Sequence, residues 1–172
     1  MMTISILDII NSTTVDGPGF RTSIYCAGCP HKCKGCHNPK SWDINEGRRI
    51  TTDEVVDCIL AQSMENVTFS GGDPMFQMEE FTDIAQKIKS RSTKNIWCYT
   101  GFKFEQLISN EKARRLLSHI DTLVDGKYCE EWRDTSLRFR GSSNQRIIDV
   151  QKSLIAGEVV MQTLTNTCKW LD

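Results

Sequence analysis

The sequence predicts an α/β protein built as an open, partial β/α barrel around a mostly parallel sheet of five or six strands. Three observations carry that expectation. Short apolar runs alternate with amphipathic stretches of helical period, the pattern of βαβ units. Four of these runs end in loops rich in Cys, Gly, Asp or Lys, where such folds gather their ligands. The chain has 172 residues, fewer than the roughly 200 or more that eight complete units need.

The elements follow in order. Ser5–Ile10 is a short apolar strand, and Val15-Asp-Gly-Pro-Gly-Phe20 is a turn by its Gly and Pro content. Arg21–Cys26 resumes as a strand and runs into a cysteine-rich stretch. Thr51-x-x-Glu54 forms a capping box ahead of Val56, Ile59 and Leu60 at helical spacing. Asn66–Ser70 is a buried strand that stops at Gly71-Gly72-Asp73-Pro74, where Asp73 suits an N-cap and Pro74 a first helical position. Phe81, Ile84, Ala85 and Ile88 mark one helix face. Asn95–Tyr99 is the next strand, closed by Thr100-Gly101. Phe104, Leu107 and Ile108 indicate a short helix. Ala113, Leu116, Leu117 and Ile120 indicate another, behind an Asn110 cap. Thr122–Asp125 is a strand ending at Gly126-Lys127. Residues 1–155 are expected as one domain and 156–172 as a tail packed on or extending it, with Val159–Met161 covering a sheet edge.

Composition narrows the function. A formal net charge of -1 argues against a protein that coats nucleic acid. No run of about 18 apolar residues is present, so no membrane span is expected. The first twenty residues lack a signal-peptide pattern, so a cytoplasmic location is expected. The unusual feature is cysteine: eight in all, four of them within residues 26–36. Such a cluster outside an oxidising compartment points to metal binding or redox chemistry. Of the rest, Cys58 and Cys98 are expected in the core, while Cys129 and Cys168 carry no assignment. His31 and His119 are expected on the surface or in loops. Lys32, Lys34, Lys40, Arg48 and Arg49 make the cluster region basic, the pattern of a solvated face or of a docking surface.

The spacing is Cys26-x2-Cys29-x3-Cys33-x2-Cys36. Structural zinc usually takes two separated cysteine pairs. Four thiols in one loop suit an iron–sulfur cluster better, although spacing alone leaves zinc and free thiols open. Cys29, Cys33 and Cys36 resemble the CxxxCxxC motif of the radical S-adenosylmethionine (SAM) enzymes. Further stretches extend the likeness: Val15–Arg21, Gly28–Asn38, Ser41-Trp42, Ser70–Pro74, Trp97–Gly101, Val124–Tyr128 and Arg140–Arg146. Over roughly residues 1–150 the chain resembles the glycyl-radical-enzyme activases, and within them those that serve anaerobic (class III) ribonucleoside-triphosphate reductase. Gly141-Ser-Ser-Asn-Gln-Arg146 separates that subgroup from the pyruvate formate-lyase activases. One departure from the wider superfamily is Gly35, where many members carry an aromatic residue.

The resemblance implies a radical SAM barrel and a [4Fe–4S] cluster held by Cys29, Cys33 and Cys36, with one iron left open for SAM. Cys26 would then be a buried strand residue. Gly35, Cys36, His37, Gly71, Gly72, Asp73, Thr100, Asp125 and Lys127 would bind SAM, with a monovalent cation near Asp125. No catalytic side chain is implied beyond the cluster and SAM. In such enzymes the reduced cluster passes an electron to the sulfonium, SAM splits into methionine and a 5′-deoxyadenosyl radical, and that radical takes a hydrogen from a glycine of the partner. The implied partners are the reductase and an electron donor such as flavodoxin or ferredoxin. Asn144, Gln145 and Arg146 bind SAM, order the partner's glycine loop, or form a polar turn. Two alternatives stay open: an activase for another glycyl radical enzyme, and a non-catalytic iron–sulfur carrier or zinc module.

Overall fold

The computed structural model describes residues 1–164. Cys168 and the end of the expected tail lie outside that range. Seven strands form one open sheet: β1 (Thr3–Thr13), β2 (Arg21–Cys26), β3 (Arg48–Thr51), β4 (Asn66–Gly71), β5 (Ile96–Tyr99), β6 (Thr122–Asp125) and β7 (Arg146–Asp149). Their spatial order is β3-β1-β2-β4-β5-β6-β7. The helices are α1 (Thr52–Leu60), α2 (Met78–Arg91), α3 (Phe104–Leu107), α4 (Glu111–Leu117) and α5 (Val150–Ala156).

The expectation of a mostly parallel sheet of five or six strands is corrected to a mixed sheet of seven. β2, β4, β5 and β6 pair in parallel at the centre. The outer pairings β1–β2, β1–β3 and β6–β7 are antiparallel. The physical reason is connection length. The turn between β1 and β2 is too short for a crossover helix, so it makes a hairpin. The central strands are joined through helices and therefore run in one direction.

The core lies on one face. Strand residues of alternate register, among them Ile4, Ile24, Cys26, Val67, Phe69, Ile96, Cys98 and Leu123, pack against Val56 and Ile59 of α1, Phe81 and Ile84 of α2, and Leu116 of α4. The Thr51–Glu54 capping box forms as expected: Thr51 Oγ1 accepts from Glu54 N at 3.1 Å and the Glu54 carboxylate accepts from Thr51 N at 2.7 Å. Asp73 caps a 3-10 turn, Pro74–Gln77, before α2 begins at Met78. Ile120 is buried, but in the connection after α4. Cys98 is buried as expected, whereas Cys58 is exposed, because it falls on the solvent side of α1. Met161 bridges to Ile148, so part of the tail does cover the β7 edge. Among the described residues no helix is long and apolar enough to cross a membrane.

Candidate iron–sulfur site

Because β2, β4, β5 and β6 are parallel neighbours, their C-terminal ends share one edge. The loops there are the cysteine loop, Gly71-Gly72-Asp73, Thr100-Gly101 and Gly126-Lys127. The antiparallel β7 enters at the same edge, where Arg146 pairs with Asp125.

The base of the cysteine loop is fixed by backbone hydrogen bonds. Gly72 N donates to Cys26 O at 2.7 Å and Asp73 N to Gly28 O at 2.8 Å. On the return leg, Gly28 N donates to Ser41 O at 2.8 Å and Cys29 N to Trp42 O at 3.1 Å. The two glycines serve this contact. A Cβ on Gly71 would lie 2.4 Å from Cys26 N, and one on Gly72 2.4 Å from Gly28 O. The close approach is therefore of chain on chain.

Cys29, Cys33 and Cys36 are free and half-buried in the loop, whereas Cys26 is fully buried at the end of β2. Burial pushes the Cys29 and Cys33 thiols above their ordinary value. Backbone hydrogen bonds from His31 and Lys32 counter this at Cys29, as do the Tyr128 backbone and the Lys127 charge at Cys33. Among the described residues no three His, Cys, Asp or Glu side chains are already gathered tightly enough to hold a metal ion. The donor set nonetheless fits an iron–sulfur cluster: three unpaired thiols in one loop, with backbone N–H groups directed at sulfur. Gly35 has a φ of 75° in the turn before Cys36. That left-handed backbone favours glycine at this position. His37 is exposed, its ring 5.8 Å from that of Tyr128.

His31 lies in a loop, one of the two places expected, but it is buried there. Its side chain is 6% exposed, and Nε2 lies 2.6 Å from Asp73 Oδ2. Periodicity cannot reveal such a residue, because it is buried by loop packing and belongs to no strand or helix. Asp73 also accepts from Met75 N, Thr100 Oγ1 and Gly101 N at 2.9, 3.0 and 3.0 Å. Asp73 and Thr100 therefore meet each other.

Asp125 is buried and accepts from Phe104 N at 2.8 Å and Arg146 Nε at 2.9 Å. Arg146 also grips Glu105 through both terminal nitrogens, at 2.9 and 2.8 Å. Asp125 thus already has a cationic partner in Arg146. The Gly141–Arg146 stretch folds as a braced turn: Gln145 accepts from Gly141 N and Ser142 N and donates to Gly126 O. A cleft of about 540 Å³ opens between Gly101, Lys103, Lys127, Asn144 and Arg146. Asn144 Oδ1 is buried there without a hydrogen-bond partner, while its amide donates to Lys127 O.

Fold and site together define an open α/β domain with a cysteine loop at its strand ends. The family described as "4Fe-4S single cluster domain" matches residues 15–148. An anaerobic ribonucleoside-triphosphate reductase-activating protein of Vibrio cholerae is 38% identical over 77% of this chain and 90% of its own length. The protein of that name from Enterobacteria phage T4 is 37% identical over 77% of this chain and 86% of its own. The Escherichia coli K12 protein is 34% identical over 76% and 89%. The chain belongs to this family of iron–sulfur activating proteins.

Proposed function

We propose that the chain activates anaerobic ribonucleoside-triphosphate reductase by reductive cleavage of SAM at a [4Fe–4S] cluster, installing a glycyl radical on the partner. The observation that carries this reading is the CxxxCxxC loop at the C-terminal edge of the parallel strands, in a chain whose relatives bear the activating-protein name. Bound there, the cluster would supply one electron to the SAM sulfonium, and SAM would supply the hydrogen-abstracting radical.

The chain's own residues bind and orient. Cys29, Cys33 and Cys36 are the ligands; three thiolates leave one position of a four-iron cluster for a small molecule, the arrangement that catalytic metal sites keep. Cys26 stays in the core as a small apolar group. Lys127, exposed beside the cleft, would pair with the SAM carboxylate. Carbonyls of the Gly71-Gly72 turn would accept from the SAM ammonium group. Gly35 and His37 border the cluster and the adenosyl side. Asp73, Thr100 and Asp125 act through the loops they hold in register. A flavodoxin- or ferredoxin-like protein would deliver the electron.

Anaerobic reconstitution with iron and sulfide, followed by dithionite and SAM, tests the proposal through release of 5′-deoxyadenosine. Cys26→Ala should keep cluster and cleavage, whereas Cys29→Ala, Cys33→Ala and Cys36→Ala should each lose both. A colourless protein holding stoichiometric zinc would overturn it. So would the absence of a glycyl radical signal when the active protein is mixed with the reductase.

A further inference from the structure

The cysteine loop is tied down at its base by backbone hydrogen bonds, and further out it rests on Tyr128 and Glu130. Between Pro30 and Asn38, the Cys33 thiol accepts from the Tyr128 backbone and His31 bonds to Asp73. His31 reaches Asp73 across 42 residues of sequence, and Asp73 in turn gathers the loop after β5 through Thr100 and Gly101. One buried carboxylate, 1% exposed, therefore ties together the ends of β2, β4 and β5.

The seat for the ring is shaped to it. A Cβ on Gly101 would fall 2.4 Å from His31 Cδ2, so only glycine leaves room. The Phe102 ring closes the other side edge-to-face, with centroids 4.5 Å apart. Asp73 has a further donor in Met75 N, so its orientation is fixed before the histidine arrives. Groups outside the ligand set commonly fix the position of the ligands themselves.

We propose that His31 and Asp73 form a latch that locks the ligand-bearing loop onto the ends of β4 and β5, making both of them positioning residues for the cluster. This rests on the iron–sulfur reading above. His31 is not a ligand: its Nε2 is already engaged, and the ring is enclosed by Gly101 and Phe102. Its effect is on the backbone that bears Cys29 and Cys33. Unlatched, the three thiols keep their identity but lose a fixed separation, and the cluster is held less tightly.

The test compares wild type, His31→Ala and His31→Gln after anaerobic reconstitution. It reads iron release to a ferrous chelator, the electron paramagnetic resonance spectrum of the reduced cluster, and thermal unfolding of the iron-free protein. Glutamine can donate to Asp73 from a similar position, so it serves as the conservative rescue. The expected result is iron retention about 10–100-fold weaker in His31→Ala, the range seen for outer groups at metal sites. Its spectrum should be altered, and the unfolding midpoint of the iron-free chain nearly unchanged. His31→Gln should recover most of the retention. Wild-type retention in His31→Ala would overturn the latch, as would failure of glutamine to rescue. A fall in iron-free stability that accounts for the loss would also overturn it, by making the pair merely structural. A wild-type protein that takes up no iron overturns the iron–sulfur reading itself, an outcome distinct from the others.

Discussion

Glu65 shows at the scale of one residue how loops are anchored away from the site. It is buried, and its carboxylate accepts from Ser12 N at 3.0 Å, Ser12 Oγ at 2.6 Å and Thr22 Oγ1 at 2.7 Å. Burial alone pushes its pKa up. The hydrogen bonds from Ser12 and Thr22, with the charge of Lys94 nearby, outweigh that and hold it below the ordinary 4.5. A carboxylate depressed on folding contributes stability that is fully present above its unfolded value and disappears as pH falls through its folded one. Glu65→Gln is therefore expected to destabilise the protein by about 1–2 kcal/mol at pH 7, the scale of charge-assisted hydrogen bonds. The difference from wild type should shrink as pH drops below 4.5. Urea denaturation at several pH values measures it, and a gap independent of pH would contradict the assignment.

At the scale of elements, the junction of β4 with the cysteine loop governs the site. Gly71 has a φ of 99°, and a Cβ there would fall within 2.6 Å of three Tyr25 and Cys26 backbone atoms. Neither the dihedral nor the backbone can yield cheaply, so Gly71→Ala is expected to cost about 3 kcal/mol or more. Denaturant unfolding of the iron-free chain should show this loss, and a cost below about 1 kcal/mol would mean that the junction relaxes. Most of this region was legible in the sequence. The four central strands, the capping box, the Asn110 and Asp73 caps and the gathering of four loops at one edge all follow from period and turn chemistry. β3 and β7 were not legible. Arg48–Thr51 carries one apolar residue and Arg146–Asp149 two between charges, too little apolar pattern to mark a strand, and both exist because a neighbouring strand offers them an edge. The orientation of β1 depends on the hairpin, and the burial of His31 depends on Gly101. Such facts are set by which loops meet in space, and local pattern does not encode them.

For the whole molecule, the decisive feature is that the helices pack on one face of the sheet only. On the other face alternate residues point away from the core, and among the described residues the apolar groups there form a small cluster of Trp97, Val124 and Ile147 with Tyr99, Phe139 and Leu164. The rest of that face is polar. Arg21, buried, crosses from β2 to donate to Thr68 Oγ1 at 2.7 Å and Val67 O at 2.6 Å, and lies 5.5 Å over the Trp97 ring. Ser23 and Tyr25 both donate to Asp16 Oδ2. A closed barrel would cover this surface with further strands; here the turn before β2 and the Phe139 loop cover it, and Arg21, Ser23, Thr68, Trp97 and Val124 are all buried. Substitutions on this face should therefore act on folding. Tyr25→Phe keeps the ring and removes one hydrogen bond to Asp16, about 1 kcal/mol or roughly fivefold in the folding equilibrium. Ser23 still donates to the same carboxylate oxygen, so the loss should stay at that scale. Urea denaturation of the iron-free chain measures it, and an unchanged midpoint would mean that Asp16 is satisfied without Tyr25.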